Sequence, residues 1–358
     1  MREIKVPGKL FVAGEYAVLE PGYPAIVVAV DRFITAQVAR SEQQTLSLPQ
    51  LGLLNVACRF ERGQVILEET DARLDFIKNT IAVVHQYLGE RSIETKPFSL
   101  TVTSELDDAD SGRKYGLGSS AAVVVAVVSS ILTLYRDRLP VSKTLIFKLA
   151  AIAHYQTQGS GSCADVAAST YGGWLHYTAF KASWLKEKLM EQRDISQLVE
   201  EAWPYLQIEQ LEAPKELVLA VGWTGSSAKT ASLIKKIAPL KNQNSNSYGA
   251  FLRKSRDAVS TMVEGFKHND MELVMASLSA NRSALLALSR ETGGAIETIH
   301  LEKLIEIANR YGAGKSSGAG GGDCGIAFTS TDKLERLHKA WQDAGIVPLD
   351  ILPATKYN

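Results

Sequence analysis

A glycine turn directly before an apolar helical run constrains this chain most. Residues 114–122 read KYGLGSSAA. Gly116 and Gly118 permit backbone conformations that other residues rarely adopt, so the chain can approach a ligand closely there. Ser119 and Ser120 fall in the first helical turn, where N–H groups lack partners and the helix dipole is positive. This arrangement predicts a strand, a glycine loop and a helix that bind an anion, the phosphates of a nucleotide.

Length and charge narrow the class of protein. The chain has 358 residues, which suits two domains, and its hydrophobic content of 46% is typical of a folded protein. Lys plus Arg and Asp plus Glu number 39 each, so no overall charge favours nucleic acid or a membrane as a partner. The apolar run 123–134 is shorter than a bilayer span, and residues 1–9 lack a signal-peptide core. We therefore expect a cytoplasmic protein.

The three cysteines, Cys58, Cys163 and Cys324, are far apart and show no C-x-x-C spacing. That spacing indicates neither a disulfide framework nor a zinc site. Cys163 and Cys324 lie inside two segments to which we assign chemistry, but we expect both to be buried as small packing residues.

Local patterns predict an α+β chain. Residues 4–19 and 25–38 are rich in β-branched residues and are interrupted by Pro7-Gly8 and Pro21-Gly22, which predicts strands joined by turns. A helix follows around 76–88 and a strand around 98–102. The further helices are predicted over 119–136, 141–156, 182–201, 228–237, 248–267, 271–288, 296–311 and 333–344, and the further strands over 173–180, 217–223, 324–329 and 346–352. We place the domain junction near 209–215.

Three segments share one resemblance. Residues 7–19 read PGKLFVAGEYAVL, 116–122 read GLGSSAA and 317–323 read SGAGGGD. Their order and separation resemble the three signature motifs of the GHMP kinases, and three motifs in order are far more specific than one glycine loop. The resemblance implies a two-domain α+β fold: an ATP-binding N-terminal domain, 1–212, with a ribosomal-protein-like β-α-β unit, and a ferredoxin-like C-terminal domain, 213–358. The active site would lie between them.

Within that superfamily, the bacterial phosphomevalonate kinases are the most similar subfamily. Trp223-Thr224-Gly225-Ser226, Asp323-Cys324-Gly325 and Lys114 carry this likeness, and mevalonate kinases usually have glycine where Asp323 stands. The resemblance implies ATP- and Mg²⁺-dependent phosphorylation of (R)-5-phosphomevalonate to (R)-5-diphosphomevalonate, in the mevalonate pathway of isoprenoid biosynthesis. Two alternatives stay open: a sister enzyme, either a mevalonate kinase or a diphosphomevalonate decarboxylase, and a non-catalytic nucleotide or metabolite sensor.

Lys9 and Asp165 are the predicted catalytic residues. Phosphoryl transfer between two polyanions requires positioning and positive potential, with little covalent work by the protein. Lys9 follows Pro-Gly in the first motif, where the alternative is a solvated lysine at a strand end. Asp165 lies in a segment that resembles the one carrying the family's aspartate, and we expect it mainly to orient Lys9 and the acceptor, because a phosphate monoester already ionises with a second pKa of about 6. Proton abstraction is the lesser possibility, and the alternative interpretation, which is compatible with a catalytic role, is the N-cap of a helix over 166–171.

The remaining site residues follow from the same resemblance. ATP is expected to contact Lys114, Gly116, Leu117, Gly118, Ser119, Ser120 and Ala121. The acceptor is expected to contact Lys9, Tyr16, Lys114, Ser226, Ser317, Gly318 and Ala319. Arg113 is interpreted as an ordinary loop cation.

The magnesium site departs from the family pattern. Where mevalonate kinases carry a magnesium-binding glutamate, this chain has His154, and a neutral imidazole is a poor ligand for a hard cation. We therefore expect Mg²⁺ to be held by nucleotide phosphates, water and one hydroxyl, from Ser119 or Ser120. Whether Asp165 or Asp323 assists stays open, and His154 is interpreted as a buried supporting residue.

Overall fold

The first sheet forms the larger part of the N-terminal half. The computed structural model describes residues 1–61, 64–67, 71, 74–108, 111–226, 246–293 and 296–354. The strands of this sheet are β1 (Arg2–Ala13), β2 (Pro24–Arg40), β3 (Thr45–Leu48), β4 (Leu53–Glu61), β5 (Gln64–Leu67), β6 (Phe98–Ser104), β7 (Trp174–Thr178) and β8 (Gln207–Leu211). Their order is β5-β4-β3-β6-β2-β7-β8, and β1 pairs with β2. Among the strands described for this sheet, only β3 and β6 pair in parallel.

Helices cover this sheet and hold its core. They are α1 (Asp75–Glu90), α2 (Ser119–Thr133), α3 (Lys143–Gln158), α4 (Ala164–Tyr171), α5 (Ala182–Met190) and α6 (Ile195–Glu200). Helix α2 packs on β1 and β2 on one side and on α1, α3 and α4 on the other. A helix enclosed on all sides requires apolar residues all round, which explains the run of Ala and Val after the glycine loop.

The second sheet has the topology of a ferredoxin-like unit. Its strands are β9 (Val218–Trp223), β10 (Gly312–Ser316), β11 (Cys324–Thr329) and β12 (Val347–Leu349), in the antiparallel order β10-β11-β9-β12. The helices that accompany it are α7 (Asn246–Lys267), α8 (Met271–Thr292), α9 (Ile299–Ala308) and α10 (Thr331–Asp343). The strand order is that of a β-α-β-β-α-β motif, with α7 and α8 as additional helices.

The predicted fold class is confirmed, and several predicted elements are corrected. Pro7-Gly8 lies inside the continuous strand β1, opposite a register shift at which β2 has two extra residues, Asp31 and Arg32, and the predicted turn there is wrong. The predicted helix 182–201 is two helices, Ala182–Met190 and Ile195–Glu200, because Gln192 between them has a φ of +52°, which an α-helix cannot contain. Strands β3, β4, β5, β8 and β10 were not predicted. The predicted helix 228–237 lies outside the described residues.

The end of the described chain returns to the first sheet. Val30 of β2 pairs with Pro353, and the amide of Ala354 donates to the carbonyl of Ala29 at 2.8 Å. Ile351 is buried in a core cluster that contains residues of both sheets. The segment that follows β12 therefore contributes to the packing of the N-terminal half. None of the helices in the described part of the chain combines the length and hydropathy that a membrane span requires.

Candidate active site

The glycine loop has the conformation that its sequence predicts. Gly116 and Gly118 have φ of +82° and +78°, and Gly118 is the residue before the first turn of α2. Space also requires glycine at both positions. A Cβ atom on Gly118 would lie 2.9 Å from Cε of Lys9, and one on Gly116 would lie 2.6 Å from Cβ of Asp323. The loop is therefore in contact with the first motif at one glycine and with the third motif at the other.

The start of α2 is suited to an anion. Gly118 has no side chain to cap the helix, so the first N–H groups of α2, from Ser119 onward, are available to a ligand. The hydroxyl of Ser120 lies 3.4 Å from Nε2 of His154, whereas the side chain of Ser119 has no described partner of this kind. These amides and the close backbone fit the triphosphate of a nucleotide.

Lys9 is buried beside this loop. Its amide donates to the carbonyl of Leu117 at 2.8 Å, and its Nζ donates to the carbonyl of Gly116 at 3.2 Å. Burial lowers the pKa of Lys9 from its usual 10.5, and the carboxylates of Asp165 and Asp323 oppose that shift. The alternative interpretation, a solvated lysine at a strand end, is wrong, because Lys9 is 8% exposed in the middle of β1.

Asp165 lies in the first turn of α4, on the side of Lys9. The helix begins at Ala164 after Cys163, so the alternative role of Asp165 as the N-cap of a helix is wrong. The hydroxyl of Ser169 donates to the carbonyl of Pro7 at 2.8 Å and ties α4 to β1 two residues before Lys9. The structure thus brings the two predicted catalytic residues, Lys9 and Asp165, into one electrostatic site.

The third glycine segment, between β10 and β11, is fastened to the first motif. The hydroxyl of Ser317 donates to the carbonyl of Phe11 and accepts from its amide, both at 2.9 Å. The hydroxyl of Tyr16 donates to the carbonyl of Ala319 at 2.5 Å. Burial, with the charge of Glu15, raises the pKa of Tyr16, so this hydroxyl remains a donor. Ser317 therefore anchors the loop, and one oxygen lone pair remains for a ligand.

A cavity of about 120 Å³ opens where these segments meet. Its lining includes Glu15, Tyr16, His154, Asp165, Gly318 and Ala319. The first motif, the Asp165 helix and the third motif thus share one pocket. Three of the seven predicted acceptor contacts line it.

Ser226, Lys114 and Arg113 lie outside the lining of that cavity. Ser226 is exposed, and its carbonyl accepts from the amide of Asp323 at 2.6 Å. Lys114 is exposed, and its backbone forms an isolated antiparallel β-bridge with the backbone of Asp107. Arg113 donates to the carbonyl of Gly225 at 2.9 Å and so connects the glycine loop to the end of β9. The binding roles given to Ser226 and Lys114 stay predictions.

Sequence reasoning missed a buried polar cluster next to the pocket. Lys315 and Glu15 form an ion pair that is closed to solvent, and Asn281 of α8 lies against the same carboxylate. Glu15 belongs to the first motif. Lys315 lies on β10, a strand whose sequence shows no alternation of apolar and polar residues that would predict it. A polar residue in the middle of a long helix, as Asn281 is, was the one available signal.

The side chains around the nucleotide loop determine how the protein can hold Mg²⁺. Within the described ranges, no group of three or more His, Cys, Asp or Glu side chains is arranged to hold a metal ion. His154 is 1% exposed and packs against the ring of Phe76, with ring centroids 5.2 Å apart. These surroundings fit a metal ion that is bound mainly by nucleotide phosphates and has at most one protein ligand, the hydroxyl of Ser119 or Ser120.

Cys163 and Cys324 are buried, as predicted. Cys58, Cys163 and Cys324 are all buried free thiols. Burial raises the pKa of Cys163, and the thiol of Cys324 donates to the carbonyl of Tyr115 at 3.1 Å. Cys163 and Cys324 are packing residues beside the site, whereas Cys58 lies on β4, opposite Leu67 of β5.

Comparisons with known proteins agree with this geometry. The family model for the GHMP kinases N terminal domain matches residues 75–173, and the model for the GHMP kinases C terminal matches residues 262–347. A phosphomevalonate kinase of Streptomyces sp. (strain CL190) is 36% identical, over 97% of this chain and 96% of its own length.

Two solved structures are similar along their whole length. The Lin0012 protein from Listeria innocua has a TM-score of 0.91 and 40% identity, covering 98% of this chain and 97% of the other. Streptococcus pneumoniae phosphomevalonate kinase in complex with phosphomevalonate and AMPPNP has a TM-score of 0.85 and 30% identity, covering 98% and 99%. With both family models matched in order around one shared pocket, this chain belongs to the GHMP kinases.

Proposed function

We propose that this chain is a phosphomevalonate kinase, which transfers the γ-phosphoryl group of ATP to the phosphate of (R)-5-phosphomevalonate and yields (R)-5-diphosphomevalonate and ADP. One observation carries the proposal, the surroundings of buried Lys9. Its ammonium group donates to the carbonyl of Gly116 in the nucleotide loop and interacts electrostatically with Asp165, beside a pocket that Tyr16 and Ala319 line. The similarity of the whole chain to a phosphomevalonate kinase supports the choice of acceptor.

The nucleotide binds at the start of α2. Backbone N–H groups of Ser119, Ser120 and Ala121 face the phosphates, and Gly116, Leu117 and Gly118 form the close turn around them. Mg²⁺ bound with ATP neutralises charge on the phosphates. One serine hydroxyl, from Ser119 or Ser120, is its proposed protein ligand, and Lys114 is a proposed further contact from the exposed side of the loop.

The reaction is a displacement at phosphorus. An oxygen of the acceptor phosphate forms a bond to Pγ, and the bond between Pγ and the β,γ-bridging oxygen of ATP breaks, so that ADP leaves with the electron pair. Lys9 places positive charge where the two phosphates approach each other. Asp165 holds Lys9 and the acceptor in orientation, and proton abstraction is its lesser role, since the acceptor phosphate needs little help from a base.

The acceptor lies in the pocket between the first and third motifs. Tyr16, Gly318 and Ala319 line that pocket, and Ser317 fixes the third segment to β1. Ser226 and Lys114 are proposed contacts for the charged ends of the acceptor. We also propose a domain boundary between residues 212 and 213, supported by the end of β8 at Leu211 and the start of β9 at Val218, and a cytoplasmic location, where ATP is supplied.

The test offers the purified chain ATP and Mg²⁺ with one acceptor at a time. With 5-phosphomevalonate the chain should release ADP rapidly, whereas with mevalonate or 5-diphosphomevalonate it should release little ADP. A coupled ADP assay and mass spectrometry of the product measure both. Fast turnover of mevalonate would indicate a mevalonate kinase, and CO₂ release from 5-diphosphomevalonate would indicate a decarboxylase. Tight ATP binding without ADP release from any acceptor would indicate a sensor.

A further inference from the structure

A buried ion pair lies directly behind the acceptor pocket. Lys315 of β10 has no exposed side-chain surface, and its Nζ donates to Oε1 of Glu15 and, at 2.6 Å, to the carbonyl of Ser316. Glu15 is 3% exposed. The pair joins the first motif to the strand that leads into the third motif.

A third element completes the hydrogen bonds of the carboxylate. The amide of Asn281, on α8, is fully buried. Oriented to satisfy both neighbours, it donates to Oε2 of Glu15 at 3.2 Å and accepts from the amide of Gly14 at 3.3 Å. Each carboxylate oxygen of Glu15 therefore has its own donor.

Stability alone is a weak reason for such a pair. Taking two charges out of water costs several kcal/mol per ion, and buried pairs replaced by apolar residues are often neutral or more stable. Glu15, however, also lines the pocket, on the same surface as Asp165. An acceptor with a carboxylate and a phosphate must enter a cavity that two carboxylates border, and like charges repel strongly where water is excluded.

We propose that Lys315 is a positioning residue that acts through Glu15: its ammonium group neutralises Glu15, so that the pocket admits an anionic acceptor while Asp165 keeps the charge that orients Lys9. The proposal rests on the proposed function, because it takes the anionic acceptor to bind in this pocket. The two carboxylates of the cavity then have different roles. Glu15 is neutralised and holds the first and third motifs together, whereas Asp165 orients Lys9.

The first test is Lys315→Met, which leaves Glu15 without its cation. The KM for 5-phosphomevalonate should rise about tenfold or more through repulsion, while the KM for ATP stays within about twofold, because Glu15 lines the acceptor pocket, which none of the residues 116–121 of the nucleotide loop lines. The matched control is Lys148→Met. Lys148 is also a buried lysine, and it donates to the carbonyls of Val199 and Glu201 at 2.8 and 2.6 Å, outside the pocket lining. Both variants should unfold at lower temperature, but only Lys315→Met should change the acceptor KM.

The sign of the effect distinguishes charge from packing. Glu15→Gln leaves Lys315 as the uncompensated group, so its acceptor KM should be equal to or lower than that of the parent chain. A purely structural role would raise the KM in both single variants. The double variant Glu15→Gln/Lys315→Met has no buried charge here, and its acceptor KM should return to within about threefold of the parent value. This double variant carries the test if either single variant fails to fold.

Three results would overturn the proposal: an unchanged acceptor KM in Lys315→Met, a double variant with a KM as high as that of Lys315→Met, or a double variant that does not fold. Failure of the proposed function looks different. In that case the unaltered chain itself would not release ADP with 5-phosphomevalonate, before any variant is compared.

Discussion

At the scale of single residues, Lys9 combines burial with a functional charge. In the described part of the structure, its Nζ donates a hydrogen bond to the carbonyl of Gly116. Burial lowers the pKa of Lys9. A lysine in this state is costly to keep protonated in the folded chain, but its charge is available to a ligand with several negative charges. We therefore expect function, more than folding, to depend on it.

Lys9→Met should lower kcat by about 100-fold or more, as expected for the loss of one group that stabilises charge in the transition state. The midpoint of thermal unfolding should stay the same or rise, since a desolvated cation is removed. Steady-state kinetics and calorimetry on the same sample check both parts. Turnover near that of the parent chain would exclude Lys9 from the reaction.

The same residue predicts opposite pH effects on activity and stability. Because the folded-state pKa of Lys9 lies below 10.5, the unfolded chain binds more protons between the two values, and this group makes stability rise with pH across that window. Activity requires the protonated form, so kcat/KM should fall across the same window. The slower variant Lys9→Arg, which keeps its charge, should lack this alkaline decline; a parallel decline in both proteins would assign it to another group.

At the scale of elements, the loop before α2 is fixed by space as much as by backbone conformation. Gly118→Ala should lower kcat/KM for ATP by about 10- to 100-fold, because the new methyl group would displace the side chain of Lys9, and small displacements of reacting groups are costly. Gly112→Ala is the matched control. Gly112 has φ of +64° in the same loop, and a methyl group there would meet nothing within 4 Å. It should lose about 1 to 2 kcal/mol of stability through the backbone alone and keep its ATP kinetics. Equal losses of kcat/KM would contradict the role of space.

How far the sequence predicts these elements depends on whether their determinants are local. The glycine loop and α2 were predicted closely because two glycines and a run of Ala and Val specify them. Strand β10 was missed because its sequence, GAGKS, has no β-branched or aromatic residue and the strand depends on its ladder to β11, and strand β3 was missed because it is only four residues long. The electrostatic proximity of Lys9 and Asp165 follows from the family resemblance, whereas the partner of Glu15 required the three-dimensional structure, since Lys315 is 300 residues away.

At the scale of the whole molecule, the two halves share one core. Residues of both sheets belong to the same buried cluster, and the segment after β12 returns to β2. We therefore expect a single cooperative unfolding transition in calorimetry, although the sheets themselves are separate. Two resolved transitions would show that the halves unfold independently.

Two adjacent residues test this shared core. Ile351 is 3% exposed within the cluster, and Ile351→Ala should lower the free energy of unfolding by about 2–4 kcal/mol while the transition remains single. Leu352, its neighbour, is 58% exposed, and Leu352→Ala should change that free energy by less than about 0.5 kcal/mol. Chemical denaturation of both variants checks the difference, and similar losses would contradict the buried position of Ile351.

The close approach of Gly116 to Asp323 also restricts the order in which substitutions can accumulate in relatives of this chain. A residue larger than glycine at 116 requires that the whole side chain at 323 be lost first, since a Cβ at 116 would lie 2.6 Å from Cβ and 2.7 Å from Cγ of Asp323. The reverse order is open: position 323 can become smaller while 116 stays glycine. Redesign of the nucleotide loop for a bulkier triphosphate analogue must therefore begin more than two hundred residues downstream, in the other half of the chain.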